Sequence, residues 1–253
     1  MKPTVFLPSM LSFVALAGAA CNSLNAPINR APHYTTYQAQ GDSATVAGTL
    51  DAFRAALGGQ LNAPNSPPAD SGRREINWDG VPAAVTNVDT FPLAFFNVNS
   101  KRGVIMSTPG IGLRVDSTAF GDSAQFRAFS PKKLFAAVGS DRVTVDFKIV
   151  GTTTAGLVKG FGVVFSDVDV AGSTVVAFYD ANGGLLANLA APAKTGAHEF
   201  SFIGAVFDKP VVASVIIASG NAALNTAVTD VSAGGTQDKV AMDDFVYGEP
   251  RPQ

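Results

Sequence analysis

Cysteine and histidine are almost absent from this chain of 253 residues. It contains one cysteine, Cys21, and two histidines, His33 and His198. A single cysteine cannot form an internal disulfide, and this set cannot supply the His/Cys ligands of a zinc cluster or the H-E-x-x-H motif of metalloproteases. We therefore expect the fold to be stabilised by its apolar core alone.

Charge is also scarce, since charged residues make up 15% of the chain and the formal net charge is −2. There is no basic excess, so no nucleic-acid partner is expected. The G-x-S-x-G motif of a nucleophile elbow does not occur, and Gly160-Phe161-Gly162 lacks the third glycine of a dinucleotide-binding loop. From these motifs we predict no catalytic residue.

The first residues have the layout of a secretory signal. Lys2 precedes an apolar stretch over residues 5–16, and small residues follow at 17–20. Cys21 stands directly after them and resembles the lipid-modified cysteine of bacterial lipoproteins. Cleavage by the ordinary signal peptidase near Ala20 is the alternative. Both predict an exported protein, in the cell envelope or outside the cell, and lipid on Cys21 would be its only contact with a membrane.

The composition divides the chain into three predicted segments. Residues 1–20 are predicted to be the signal peptide, residues 21–45 a polar tether, and residues 46–250 the folded domain. The domain opens with a short amphipathic helix, because apolar residues recur with helical spacing and Gly58-Gly59 follows. Its apolar positions are Val46, Leu50, Phe53 and Leu57. Nothing in the sequence indicates an oligomeric state.

Most of the domain has the two-residue period of β-strands. Val143, Val145 and Phe147 alternate with polar residues, and later apolar runs flank Asn182-Gly183, a hairpin signal that favours a type I′ turn. Pro109-Gly110 separates two further runs in the same way. Many short strands of this kind predict an all-β fold, an antiparallel two-sheet sandwich with jelly-roll topology.

The last predicted strand contains two adjacent carboxylates, Asp243 and Asp244, within the sequence KVAMDDFVYG. Alternation places one of them near the core, where an unpaired charge is costly. A structural cation, an ion pair with Arg73 or Arg74, or backbone N–H donors would each solve the problem. We predict Asp243 and Asp244 as the candidate metal ligands, with Ca²⁺ as the cofactor.

Several segments resemble an uncharacterised family of exported bacterial β-rich proteins. The similarity covers about residues 46–250 and rests on these motifs: GRREINWDGVP (72–82), FFNVNSKRGV (95–104), GFGVVFSDVD (160–169), FYDANG (178–183) and VAMDDFVYGEP (240–250). The ending is also similar to secreted jelly-roll domains of the carbohydrate-binding-module type, in which an aspartate of the last strand helps to hold a structural calcium. The resemblance implies a β-rich domain and no particular activity.

Other polar and aromatic residues are candidates for binding. Strand spacing allows Asn77 to share an ion with Glu75 or with Asp79, whereas Asp167 and Asp169 are interpreted as a solvated turn. Aromatic rings can pack on sugars. The possible platforms are Trp78, Tyr179 and Tyr247, although Trp78 alternates with Ile76 and a core position is the favoured interpretation.

The leading functional hypothesis is an exported, lipid-anchored, non-catalytic β-sandwich that binds a ligand, with extracellular glycan as the first class to test. The second is a glycoside hydrolase or lyase that uses carboxylates among Glu75, Asp79, Asp167 and Asp169. The third is a structural protein of the envelope or matrix without a small ligand.

Overall fold

The computed structural model describes residue 1 and residues 32–253. The predicted signal peptide, Cys21 and the tether up to residue 31 lie outside the described residues. Within residues 32–253, the helices are α1 (Ser43–Leu57) and α2 (Phe95–Val98). The strands are β1 (Tyr34–Gly41), β2 (Arg73–Ile76), β3 (Val104–Ser107), β4 (Gly112–Asp116), β5 (Leu134–Val138), β6 (Arg142–Phe147), β7 (Gly160–Ser166), β8 (Val175–Tyr179), β9 (Leu185–Ala190), β10 (Phe200–Phe207), β11 (Ser214–Ala218) and β12 (Ala241–Gly248).

The strands form two antiparallel sheets. One has seven strands, in the order β1-β10-β7-β12-β5-β4 with β2 also paired to β12, and the other has five, in the order β3-β6-β11-β8-β9. The pairs β5·β12, β6·β11, β7·β10 and β8·β9 are nested, like a long hairpin rolled up on itself. This is the strand order of a jelly roll. The predicted all-β sandwich is confirmed.

The two sheets differ in how well their sequences alternate. On β6, Val143, Val145 and Phe147 are buried against the opposite sheet, while the residues between them are more exposed. On β7, β10 and β12 every residue is buried. These strands lie at the centre of the seven-stranded sheet and have apolar partners on both faces, so their sequences read as continuous apolar runs.

Helix α1 covers part of the outer face of the seven-stranded sheet. Its four predicted apolar positions are all buried, and they pack against side chains of β7, β10 and β12, including Val164, Phe202 and Val246. The Asp42 side chain caps the helix by accepting a hydrogen bond from the Thr45 N–H at 2.8 Å. The predicted helix is confirmed. No helix among the described residues combines the length and apolarity needed to cross a membrane.

Two glycines allow this helix to lie close to the sheet. Gly162 and Gly204 face each other across β7 and β10. A Cβ atom on either glycine would lie 2.8 Å from the nearest ring atom of Phe53, which is closer than van der Waals contact permits. Phe53 therefore fills the space that two side chains would otherwise occupy.

Substitution of Gly204 by Ala should lower the free energy of unfolding by about 1–3 kcal/mol, because the added methyl group overpacks the contact with Phe53. The matched control is Gly48→Ala on the exposed face of α1, where a Cβ meets nothing within 4 Å. The control should raise stability by about 0.5–1 kcal/mol, since Ala favours a helix over Gly. Urea denaturation measures both, and equal changes in the two variants would contradict the packing role of Gly204.

Three local predictions were wrong. Residues 34–41 belong to the sheet rather than to a tether, because β1 pairs with β10 along its whole length. Strands β3 and β4 do not form a hairpin, since they lie in different sheets. The β8–β9 hairpin exists, but its turn is not type I′: Gly183 has positive φ and Asn182 does not. Asp180 stabilises this turn by accepting the N–H groups of Asn182 and Gly184.

Candidate functional site

The two aspartates of the last strand lie at a β-bulge in β12. Met242 pairs with Phe165 and Phe245 pairs with Val163, so two residues of β12 lie opposite one residue of β7, Val164. The bulge reverses the alternation, and Met242 and Phe245 both pack between the sheets. Asp243 and Asp244 occupy the bulge itself and are 0% and 4% exposed.

Asp243 is satisfied by hydrogen bonds from the protein. Its Oδ2 accepts the Phe129 N–H at 2.5 Å and its Oδ1 accepts the Ser130 hydroxyl at 2.9 Å. Of the three solutions that the sequence left open, backbone donors together with a hydroxyl stabilise this carboxylate.

Asp244 has fewer stabilising partners than Asp243. Its Oδ2 lies 3.7 Å from Arg54 Nη2, and its Oδ1 is buried without a hydrogen-bond partner among residues 32–253. The predicted partners, Arg73 and Arg74, are occupied elsewhere: Arg73 pairs with Glu75 and Arg74 with Glu249. The prediction of an ion pair with Arg73 or Arg74 was therefore wrong. The arginine near Asp244 is Arg54 of α1, and the sequence gives no indication that these two distant residues approach each other.

Burial, together with the neighbouring Asp244, raises the pKa of Asp243 well above its ordinary value of 3.8. The folded protein then binds more protons than the unfolded chain at pH values above about 4, so stability falls as the pH rises toward the folded-state pKa. Replacing Asp243 by Asn should reduce this pH dependence. Urea denaturation at pH 4 to 7 tests it, with Asp70→Asn as a control on an exposed carboxylate; the same slope in Asp243→Asn and wild type would contradict it.

A second group of carboxylates lies at one end of the sandwich. One carboxylate oxygen from each of Asp167, Asp169 and Asp230 lies within 4.8 Å of the other two. Asp167 and Asp169 directly follow β7, whereas Asp230 belongs to the loop that leads into β12. They meet because β7 ends where β12 begins, with Ser166 paired to Ala241. We call these three residues the acidic cluster.

Asp238 lies beside the acidic cluster and organises the loop after β7. Its carboxylate accepts the N–H groups of Asp169 and Val170 at 3.3 and 3.1 Å and the Ser173 hydroxyl at 2.5 Å. In the cluster itself, Asp230 accepts the Ser232 and Lys239 N–H groups, both at 2.7 Å. These bonds fix the loop before β12 against the loop after β7.

Asp167 and Asp169 are less well satisfied. Asp167 is 0% exposed, and its Oδ2 accepts a hydrogen bond from Gln125 Nε2 at 2.5 Å. The Oδ1 atoms of Asp167 and Asp169 are buried and have no partner in the described part of the chain. The interpretation as a solvated turn was wrong for Asp167, which is fully buried where β7 pairs with β12, whereas Asp169 is half-buried.

The carboxyl groups of the cluster have raised pKa values, because they are buried close to one another. Burial, with the charges of Asp169, Asp230 and Asp238, raises the pKa of Asp167 to about 7. Burial also raises the pKa values of Asp169 and Asp238, and both are raised further by neighbouring carboxylates. Each carboxylate thus makes ionisation of the others more costly.

A cavity of about 540 Å³ adjoins the cluster, and we call it the end cavity. Asp169 and Gln125 line it together with loop residues that precede β5, β10 and β12. These further residues are Asp122, Ala124, Thr195, Gly196, Ala197, Val231, Ser232 and Ala233. The end cavity therefore combines small apolar side chains with several carboxylate, amide and hydroxyl groups.

The other predicted binding residues are not brought together with the cluster. Glu75 forms a bidentate pair with Arg54, at 2.9 Å for each contact, and Asp79 lies beside Lys133. In the strand register, Glu75 lies opposite Val246 of β12. Val246 is five residues along β12 from Ala241, beside which the cluster lies, and this spacing corresponds to roughly 15 Å. Asn77 is exposed on the same segment as Glu75.

Two of the three predicted aromatic platforms are core residues. Trp78 is 1% exposed and stacks on Phe135 with a ring separation of 4.0 Å. Tyr247 is fully buried, and its hydroxyl donates to the Arg102 carbonyl at 3.0 Å. Neither can present a ring face to a sugar, so both were wrong as platforms, although the favoured core position of Trp78 is confirmed. Tyr179 is half-buried.

Comparison with known proteins adds no relative: no protein-family model matches the chain, and no curated protein matches it significantly.

Proposed function

We propose that this chain is an exported, lipid-anchored binding module whose jelly roll carries a ligand site in the end cavity, with glycan as the first ligand class to test. The observation that carries the proposal is the cavity itself, because concave sites with a few converging polar groups are where small ligands bind. Carboxylate, amide and hydroxyl groups such as those of Asp122, Gln125 and Ser232 can hydrogen-bond sugar hydroxyls.

Export and lipid attachment at Cys21 rest on the sequence of the first residues. A domain held outside the cytoplasm on a lipid would present its loops to extracellular or periplasmic polymers. No disulfide is needed for this, since the described domain has an extensive apolar core between its sheets.

Binding is tested with the purified protein on a polysaccharide array and by calorimetry. Wild type should bind at least one polysaccharide, and Ala197→Phe, which fills the end cavity, should weaken that binding at least tenfold. The control is Ala181→Phe on the exposed β8–β9 turn, which should bind like wild type. Failure to bind any polysaccharide would remove glycan as the ligand, and unchanged binding by Ala197→Phe would remove the end cavity as its site.

A glycoside hydrolase or lyase is the second candidate, and one observation favours it. Asp167 and Asp169 converge beside a cavity, and the pKa of Asp167 is raised to about 7 by burial, as a general acid requires. Against this, Asp167 is fully buried and held by Gln125, so it does not reach the cavity as Asp169 does. Release of new sugar ends from a bound polysaccharide, lost in Asp169→Asn, would favour the enzyme over the binding module.

A further inference from the structure

The acidic cluster contains buried carboxyl oxygens that the described residues do not satisfy. Asp167 is completely buried, yet its Oδ1 has no hydrogen-bond donor among residues 32–253, and the same holds for Asp169 Oδ1. A buried carboxyl group that does not take up a proton normally has an ion-pair partner, a full set of donors or a metal ion. Both unpartnered atoms belong to residues whose carboxylate oxygens meet in the cluster.

Basic side chains do not supply the missing partner. In the part of the chain that the structure describes, no Lys, Arg or His lies within 4.0 Å of a carboxylate oxygen of Asp167, Asp169, Asp230 or Asp238. The nearby Lys239 contributes its backbone N–H to Asp230, but its ammonium group donates to the Thr226 carbonyl. The three carboxylates of the cluster and the neighbouring Asp238 thus have no cationic partner among residues 32–253.

Two other buried carboxylates of the described chain are satisfied by protein donors. Glu249 receives a bidentate pair from Arg74, at 2.6 and 2.9 Å, and a further bond from Asn62 Nδ2 at 2.8 Å. Asp243 has a donor for each oxygen. The acidic cluster differs from both, because two of its residues each have an unpartnered buried oxygen and the carboxylates of those residues lie close together.

We propose that Asp167, Asp169 and Asp230 bind a divalent cation, and that this cation is Ca²⁺. The ligands offered are oxygens without His or Cys, which excludes the zinc-type donor set and favours a hard cation. The site differs from the one predicted at Asp243 and Asp244.

The irregular origin of the ligands favours calcium over magnesium. Mg²⁺ demands near-ideal octahedral geometry and keeps several of its waters, whereas Ca²⁺ accepts six to eight oxygens in flexible geometry. The three carboxylate oxygens, all within 4.8 Å of one another, are close enough to share one such ion. Calcium also tolerates an irregular ligand set, such as one built from two loops.

An ion at this position would join the end of β7 to the loop that leads into β12. It would also neutralise Asp169, which lines the end cavity, and so fix one wall of that cavity. The inference stands on the acidic cluster and does not require glycan to be the ligand.

Thermal unfolding and calorimetry of the purified full-length protein, first treated with EGTA, test the proposal with CaCl₂ alone as the probe. Calcium should bind in a 1:1 ratio. At about one hundred times the measured Kd it should raise Tm by about 5–10 °C, because it binds the folded state. Magnesium at the same concentration should give a smaller shift, and an equal shift would overturn the assignment to calcium.

Two variants locate the ion. Asp169→Asn should abolish the calcium shift while melting in EGTA no lower than wild type, since it removes one of several mutually repelling charges. Asp244→Asn, at the bulge in β12, should retain the shift. No calcium binding by wild type, or a shift that Asp244→Asn loses and Asp169→Asn keeps, would overturn the proposal. A loss of glycan binding in Ala197→Phe with an intact calcium shift would concern the end cavity alone.

Discussion

The pairing of β7 with β12 is the contact on which the rest of the structure depends. The two strands are distant in sequence and adjacent at the centre of the seven-stranded sheet, where both are buried on both faces. Because Ser166 pairs with Ala241, the residues that follow β7 must lie beside those that precede β12. The acidic cluster is a direct consequence of this register. The same pairing contains the bulge, in which Asp243 and Asp244 lie between the paired residues Met242 and Phe245.

The molecule contains buried carboxylates in contrasting electrical environments. Glu249 is neutralised by Arg74, and Asp243 receives donors from a backbone N–H and a hydroxyl. In the acidic cluster, Asp230 and Asp238 hold loop N–H groups, but the charges of the group as a whole lack a counter-ion in the described chain. An overall charge of −2 gives no indication of this concentration of negative charge at one end. Clusters of carboxylates with perturbed pKa values are typical of binding and catalytic sites.

The fold could be predicted where its physics is local. Alternation on β6 and the spacing of Val46, Leu50, Phe53 and Leu57 identified a half-buried strand and an amphipathic helix, because each depends on one face meeting a core. Prediction failed at β12, where the bulge shifts the period by one residue. It also failed at β3 and β4, because a turn between them changes sheets rather than closing a hairpin.

The site could be predicted only in part. Asp167 and Asp169 were interpreted as a solvated turn and otherwise named only as candidate carboxylates of an enzyme, because the burial of Asp167 depends on the pairing of β7 with β10 and β12 and not on neighbouring residues. Asp230, Asp238 and Gln125 were missed, since nothing near them in sequence indicates that they approach Asp167. Two aspartates in the loop before an apolar strand were the available signal, and nested strand pairing was needed to connect that loop with the end of β7.

The most direct measurement is a crystal structure of the protein grown with calcium, analysed for anomalous scattering at the end of the sandwich. The account predicts one calcium with oxygen ligands at about 2.3–2.6 Å from Asp167, Asp169 and Asp230. Well-ordered crystals in which these carboxylates share protons with one another, or in which the ion lies at Asp243 and Asp244 instead, would contradict it.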